Sequence, residues 1–150
     1  MAKKSGFTLI ELLVVVSIIA ILSVIGLVSY NFFLKKSRDV RRQSDLKFIQ
    51  SGLEEYHADT LYYPFAVTPG DGLTAGTKTY LTKVPTDPTG NPDYAYVPSG
   101  SGCTALAPQN CTSYCLFAQL EATTLNSDTG CTTPLPFGFT TPKAYGVTRP

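Results

Sequence analysis

From Leu12 to Leu34 the chain carries no Lys, Arg, Asp, Glu or His, and Leu, Ile and Val dominate. An apolar run above about 18 residues is long enough to cross a hydrocarbon core of roughly 30 Å as a helix. A secretory signal peptide would have an apolar region of only about 7–15 residues, closed by a small-residue cleavage site. This run is longer and continues into Tyr30-Asn31-Phe32-Phe33. The helical period then persists while the polarity changes. Leu46, Ile49, Leu53 and Tyr56 recur at intervals of three or four residues, which places them on one helical face up to about Thr60. Pro64 is predicted to stop the helix, since its ring also disfavours helical geometry at Tyr63. A single helix over 7–60 would be about 80 Å long at ~1.5 Å per residue. Gly26, with Ser23 and Ser29 about one turn either side, is its weakest point, because glycine costs roughly 1 kcal/mol against alanine there.

After Pro64 the texture is that of turns and short strands. Pro69-Gly70-Asp71-Gly72 and Thr89-Gly90-Asn91-Pro92 are turn clusters. Tyr94–Val97 is a short strand candidate. Ser113–Glu121 is a better one, with Tyr114, Leu116, Ala118 and Leu120 alternating with Cys115, Phe117 and Gln119. A last strand is predicted over Ala144–Thr148, after a tail made irregular by Pro134, Pro136 and Pro142. The fold class is therefore α+β. Its elements are a long N-terminal helix, transmembrane in its first half, and a small antiparallel sheet packed on the face bearing Leu46, Ile49 and Leu53.

Charge refines this division. The formal total is +1, from 12 basic and 11 acidic residues, and nothing in that balance suggests nucleic acid. Lys143 and Arg149 form no basic stripe, so DNA binding by the exterior domain is not favoured either. Basic residues crowd into 35–47, where Lys35 and Asp39, Arg41 and Asp45, and Arg38 and Arg42 are each four apart. These are expected to be solvated surface pairs of little energetic consequence. A count of positive charges flanking the span would place its C-terminal side in the cytoplasm. The cysteines argue the opposite. Cys103, Cys111, Cys115 and Cys131 all lie in the last third, an even number that suggests disulfides formed in an oxidising compartment. No C-x2-C pair and no nearby histidine supports a zinc site. Four cysteines allow three pairings, and Cys103–Cys111 with Cys115–Cys131 is the one favoured here.

The string Lys3-Lys4-Ser5-Gly6-Phe7-Thr8-Leu9-Ile10-Glu11 resembles the start of type IV pilin precursors. Those carry a short basic leader ending in glycine, then phenylalanine, and glutamate as the fifth residue after the cut. The resemblance covers the leader and the whole first helix. It implies cleavage between Gly6 and Phe7 by a prepilin peptidase, a membrane aspartyl protease. It further implies N-methylation of Phe7 and polymerisation with identical or related subunits. Lys3 and Lys4 would hold the leader on the cytoplasmic face, lipid would surround the helix before assembly, and an inner-membrane platform would drive assembly. Glu11 points the same way on physical grounds. A carboxylate one turn inside an apolar helix costs about 2.5–3.5 kcal/mol on insertion scales, so an intramembrane acid is a functional candidate. The resemblance supplies its partner, the new amino group of Phe7 on a neighbouring subunit, and such a pair can fix axial register.

A second resemblance lies downstream. Val84-Pro85-Thr86-Asp87-Pro88-Thr89-Gly90-Asn91-Pro92-Asp93-Tyr94-Ala95-Tyr96 is similar to a loop of the major pseudopilins of type II secretion systems. Thr89 stands where that loop usually has an aromatic residue. The acidic calcium-binding loop expected near the C-terminus has no clear counterpart, since Asp128 is the only acid beyond Glu121. Disulfides are expected to replace calcium as the loop fastener, leaving no metal ligands and no cofactor. Catalysis is not expected: His57 is the only histidine, within Glu54-Glu55-Tyr56-His57-Ala58-Asp59, and no zinc-protease, serine-elbow or phosphate-loop motif is present. A solvated helix end is the favoured reading of that stretch. The expected organisation is a leader over 1–6, an assembly helix over 7–34 and an exterior domain over 35–150. The expected function is a structural subunit of a type IV pilus-like surface filament. The alternatives are a secretion pseudopilin in a periplasmic filament and an uncleaved single-pass surface protein.

Overall fold

In a computed structural model the described residues are 6–90, 93–122, 131, 136, 138–139 and 144–149, the side chain of Val28 excepted. Lys3, Lys4, Asn91, Pro92, Asp128, Pro134, Pro142, Lys143 and most of the 126–142 loop lie outside them. The chain divides into two units, with the boundary between Lys35 and Lys36.

A single helix, α1 (Leu9–Thr60), accounts for nearly all of the described residues of the first unit and opens the second. Its apolar stretch is long and apolar enough to cross a membrane. It passes Gly26 without a break. The hydroxyls here bond within the helix: Ser17 to the Val14 carbonyl at 2.8 Å, Ser23 to Ile19 at 2.7 Å, and Ser29 to Ile25 at 3.0 Å. A polar side chain satisfied by its own helix can lie in hydrocarbon without a partner elsewhere.

In the second unit α1 presents Leu46, Ile49, Leu53 and Tyr56 to one core, all buried. Among the described residues five strands follow: β1 (Leu73–Ala75), β2 (Lys78–Leu81), β3 (Ala95–Ser99), β4 (Ser113–Gln119) and β5 (Ala144–Thr148). The first two form an antiparallel hairpin, and the others an antiparallel sheet in the order β3-β4-β5. The hairpin was not legible beforehand, its strands being three and four residues long. Gly76, at φ +57°, makes the two-residue turn that closes it. Leu81 of β2 presses onto α1 at Gly52, where a Cβ would come within 2.5 Å of the leucine side chain. In the sheet, Ala95 pairs with Phe117 and Ser99 with Ser113 on one side of β4, and Cys115 with Thr148 and Gln119 with Ala144 on the other. Pro98 is tolerated because β3 is an edge strand. The alternation on β4 separates two clusters. Tyr114, Leu116 and Ala118 join the α1 core, while Phe117 packs with Cys131, Phe139 and Ala144.

The helix ends on a non-glycine residue in the left-handed region, Leu61 at φ +66°. The Leu61 amide still donates to the His57 carbonyl at 2.8 Å, and the Thr60 hydroxyl bonds to the Tyr56 carbonyl at 2.8 Å. His57 is half-buried rather than fully solvated, stacked on Tyr63 with ring centroids 4.5 Å apart.

Candidate assembly and processing site

Gly6 and Phe7 precede α1 and are exposed, Phe7 to 77%. A Cβ placed on Gly6 would meet nothing within 4 Å, so this unit offers no packing reason for glycine there. Thr8 and Glu11 form a reciprocal cap at the helix start. The Thr8 amide and hydroxyl donate to Glu11 Oε2 at 2.9 and 2.8 Å, and the Glu11 amide donates to Thr8 Oγ1 at 3.3 Å. This is the capping box, with threonine at the N-cap and glutamate three residues on. The carboxylate also lies at the positive end of the helix dipole. Thr8 escaped the sequence reading, although threonine three positions before glutamate at the edge of an apolar run is its signature. Two apolar grooves flank the cap. One is lined by Leu9, Leu12, Leu13, Val16, Ser17 and Ala20, the other by Phe7, Ile10, Glu11, Val14 and Val15.

In the second unit the structure overturns the reading of the 35–47 charges as solvated pairs. Arg42 and Asp39 are each only 1% exposed. The Arg42 guanidinium donates from Nε and Nη2 to Asp87 at 2.5 and 3.1 Å, from Nη1 to Asp39 at 2.8 Å, and from Nη2 to the Thr89 hydroxyl at 3.0 Å. Its Nη1 also lies 2.9 Å from Glu121 Oε1. Arg38 forms a two-pronged pair with the same Glu121, Nε to Oε1 at 2.7 Å and Nη2 to Oε2 at 2.5 Å. Asp39 accepts the backbone amides of Glu121 and Ala122, both at 2.8 Å. Asp87 is the aspartate between the two prolines of the pseudopilin-like loop. Its Oδ1 also caps the turn by accepting the amides of Thr89 and Gly90 at 2.7 and 3.1 Å. Thr89, which departs from the usual aromatic, thus has a role as a hydroxyl ligand of Arg42.

This network fastens α1 to the 85–90 loop and to the segment after β4. A half-satisfied network would be costly, but every buried side-chain nitrogen and oxygen among the described residues has a partner. The hydrogen bonds from Arg38, with Arg42 nearby, hold the Glu121 carboxyl down at about 2. The Asp87 carboxyl is also held low: burial alone would raise it, and the hydrogen bonds from Arg42 and Thr89 overcome that. Signals for this cluster were present in the sequence, but only tertiary proximity brings positions 39, 42, 87 and 121 together. Arg41 and Asp45 do lie 3.9 Å apart, but Asp45 has the stronger bond, from the Tyr94 hydroxyl at 2.7 Å.

The other polar centres are structural in the same way. Glu54 accepts the hydroxyls of Tyr63 at 3.0 Å and Tyr114 at 2.9 Å, and burial with this carboxylate pushes the Tyr63 phenol up to about 12. Lys78 joins Glu55 at 3.1 Å and Asp59 at 2.7 Å. Among the described residues no cluster of His, Cys, Asp and Glu is arranged to hold a metal ion. The cysteines form two disulfides, Cys103–Cys111 and Cys115–Cys131. The second ties central strand β4 to the cluster of Phe117, Phe139 and Ala144.

A long, exposed apolar helix capped through Thr8 and Glu11, followed by a small antiparallel sheet, defines a pilin-like filament subunit. The family model for the prokaryotic N-terminal methylation motif matches residues 1–27. The type II secretion system core protein G of Pseudomonas aeruginosa is 33% identical over 113 residues, 66% of this chain and 77% of that protein. Its counterpart in Vibrio cholerae is 32% identical over 113 residues, 67% of this chain and 75% of that protein. The prepilin peptidase-dependent protein D of Escherichia coli is 60% identical over 37 residues, 25% of each chain. The chain belongs to the family of type II secretion system core protein G. No solved structure matches it significantly.

Proposed function

We propose that this chain is the polymerising subunit of a secretion-type pseudopilus. It would be cut between Gly6 and Phe7, methylated on the new Phe7 amino group, and built into a filament through α1. The observation that carries the secretion reading is the extent of likeness. The core protein G relatives match over about three quarters of their own length, whereas the Escherichia coli protein matches over 37 residues. The Pro-Asp-Pro loop supports it too, since Asp87 is the residue that meets Arg42.

The capping box gives the subunit a way to wait. In lipid an unsatisfied carboxylate is strongly disfavoured, and Thr8 satisfies Glu11 within one turn. On assembly the carboxylate exchanges this local donor for the Phe7 ammonium of a neighbouring copy. The exposed Leu, Ile and Val side chains of residues 9–34 exchange lipid for one another. Lipid contact before assembly, an assembly platform in the inner membrane, and a periplasmic filament belong to the same reading. A surface pilus would use the same chemistry with a longer polymer.

N-terminal sequencing and mass measurement of membrane-extracted protein test the processing step. The expected result is a methylated Phe7 terminus. A Met1 terminus on all of the protein would instead indicate an uncleaved single-pass protein. Loss of a co-expressed secretion substrate from the medium on deletion of the chain, with no loss of surface fibres, separates secretion from piliation.

A further inference from the structure

We propose that Lys36 and Arg41, exposed on α1 just beyond its apolar stretch, bind the phosphate groups of anionic membrane lipids and hold the unassembled subunit at a fixed depth. This rests on the reading above that the chain resides in a membrane before assembly, and it names the lipid chemistry met there.

The fold sorts the charges that follow the apolar stretch. Residues 35–47 hold six cations and two acids. Both acids are drawn inward. Asp39 is buried against Arg42 and accepts two backbone amides, and Asp45 accepts the Tyr94 hydroxyl at 2.7 Å. Arg42 is buried in the same network, and Arg38 pairs with Glu121. The ionisable side chains left exposed in this stretch are all cations: Lys35, Lys36, Arg41 and Lys47. Arg41 comes no nearer to Asp45 than 3.9 Å, and its side chain is 68% exposed. Packing thus turns a segment of mixed charge into a positive surface.

The place of this surface in the chain decides what it meets. Lys35 and Lys36 are the first two residues after a run, Leu12 to Leu34, that carries no charge and is long and apolar enough to cross a membrane. Chain connectivity alone keeps the Lys36 Cα within about 7 Å of that of Leu34. The headgroup layer on one side of a bilayer is roughly 5–7 Å thick. Tyr30, near the end of the run, is of a residue type that favours the same interface. Lys36 and Arg41 both belong to the second unit, and Arg41 lies about 7.5 Å further along the helix at ~1.5 Å per residue. Bonds from Cα to Cβ on a helix tilt towards its N-terminus, so both long side chains lean back towards the apolar stretch. Their apolar stems can follow the helix while the charged heads stay among the headgroups.

Phosphate is the chemistry that fits. In the proposed orientation these cations lie on the translocated side of the span, where positive residues are disfavoured. Anionic headgroups offset this, because each Lys or Arg held near such a surface strengthens attachment about fivefold. The Lys36 ammonium meets a phosphate oxygen as a point charge, and the Arg41 guanidinium can take two oxygens at once. No exposed acid between residues 35 and 47 repels the lipid. The contact retains the subunit in the membrane and is given up when assembly draws α1 out.

The test places a photo-crosslinking benzophenone amino acid at Ser37, which is exposed between Lys36 and Arg41. The full-length chain is reconstituted in vesicles of phosphatidylcholine with a minority of phosphatidylglycerol, one lipid at a time carrying an alkyne tag. For equal amounts of tagged lipid, labelling is expected to favour phosphatidylglycerol by roughly tenfold or more. The preference should fall to near parity in Lys36→Gln with Arg41→Gln. It should fall likewise for wild type at about 1 M salt, where the screening length is ~3 Å. The double variant should melt as wild type does, since Lys36 has no ion pair among the described residues and Arg41 only a long one. An inserted wild-type chain that labels both lipids equally would overturn this inference and leave membrane residence standing. So would a preference that survives the double substitution, or a Ser37 probe that captures protein instead of lipid in native membranes. A chain that alkaline carbonate strips from the vesicles would overturn both.

Discussion

Glu11 and Arg42 are both charges on α1 beside apolar surface, one at the helix start and one in its interior, and they are held by opposite means. Glu11 is satisfied by Thr8, three residues away, inside the first turn. Arg42 is satisfied by Asp87 and Glu121, partners far along the chain, and by Asp39 one turn away. The local device completes the helix end without using any of the apolar side chains around it. Leu9, Ile10, Leu12 and Leu13 stay exposed and available to another molecule. The long-range device exists only when the loop before β3 and the segment after β4 have come to the helix, so it registers that the domain has folded. One stretch of helix is thus prepared for association and the other for tertiary packing, although the backbone is the same in both.

Removing the long-range charge should have the largest effect. Arg42→Ala leaves Asp39 and Asp87 buried without their cation, and breaking a buried pair from one side typically costs about 3–5 kcal/mol. Urea unfolding of the full chain in detergent, followed by circular dichroism, should show that loss. An Arg42→Ala chain as stable as wild type would mean that the network carries no weight. Opening the Cys115–Cys131 bridge comes next. With a sequence separation of 16 residues, the chain-entropy value is ~3 kcal/mol. Cys115→Ser with Cys131→Ser should lower the unfolding midpoint accordingly, and intact mass after alkylation of the non-reduced wild type should show no added label.

Glu11→Ala tests the local device, and its signature should be inverted. Unfolding of the exterior domain should not change, while the assembled fraction drops by roughly tenfold or more, as expected when one member of a desolvated charge pair is lost. A drop in domain stability without an assembly defect would reverse the roles assigned to the two devices. Acid should weaken the long-range network, as it should the Asp59 pair with Lys78, whose hydrogen bond also holds its carboxyl low. Glu121 ordinarily ionises near 4.5 and here at about 2. Its contribution is complete above pH 4.5 and fades as the pH falls towards 2, with the Asp87 contribution fading in the same direction. Discounted for the solvent around Glu121, the loss should be roughly 1–2 kcal/mol. It should vanish in Arg38→Ala with Arg42→Ala. The smallest effect is a gain. Leu61→Gly relieves a left-handed residue at the end of α1 and should stabilise the fold by on the order of 1 kcal/mol, with no effect on assembly.

How far the sequence could be read follows from the range of each interaction. The apolar stretch of α1, its extension to Thr60 and the buried face of Leu46, Ile49, Leu53 and Tyr56 were visible because helix period and span length are local properties. So were β5 and the whole of β4, which ends two residues before the predicted Glu121. The β1–β2 hairpin was missed because three- and four-residue strands hold too little pattern to stand out from a loop. The polar network was misread for a different reason. Charges four apart on a helix look solvated until something is known to cover them, and the cover comes from Asp87 and Glu121. The Gly6-Phe7-Thr8-Leu9-Ile10-Glu11 string and the apolar run behind it were enough for membership in a filament-forming class. The capping box and the apolar span are written in consecutive residues. Which cysteine meets which, and which charges are buried, depend on strand register and on loops that close over tens of residues, and those are settled only when the chain packs.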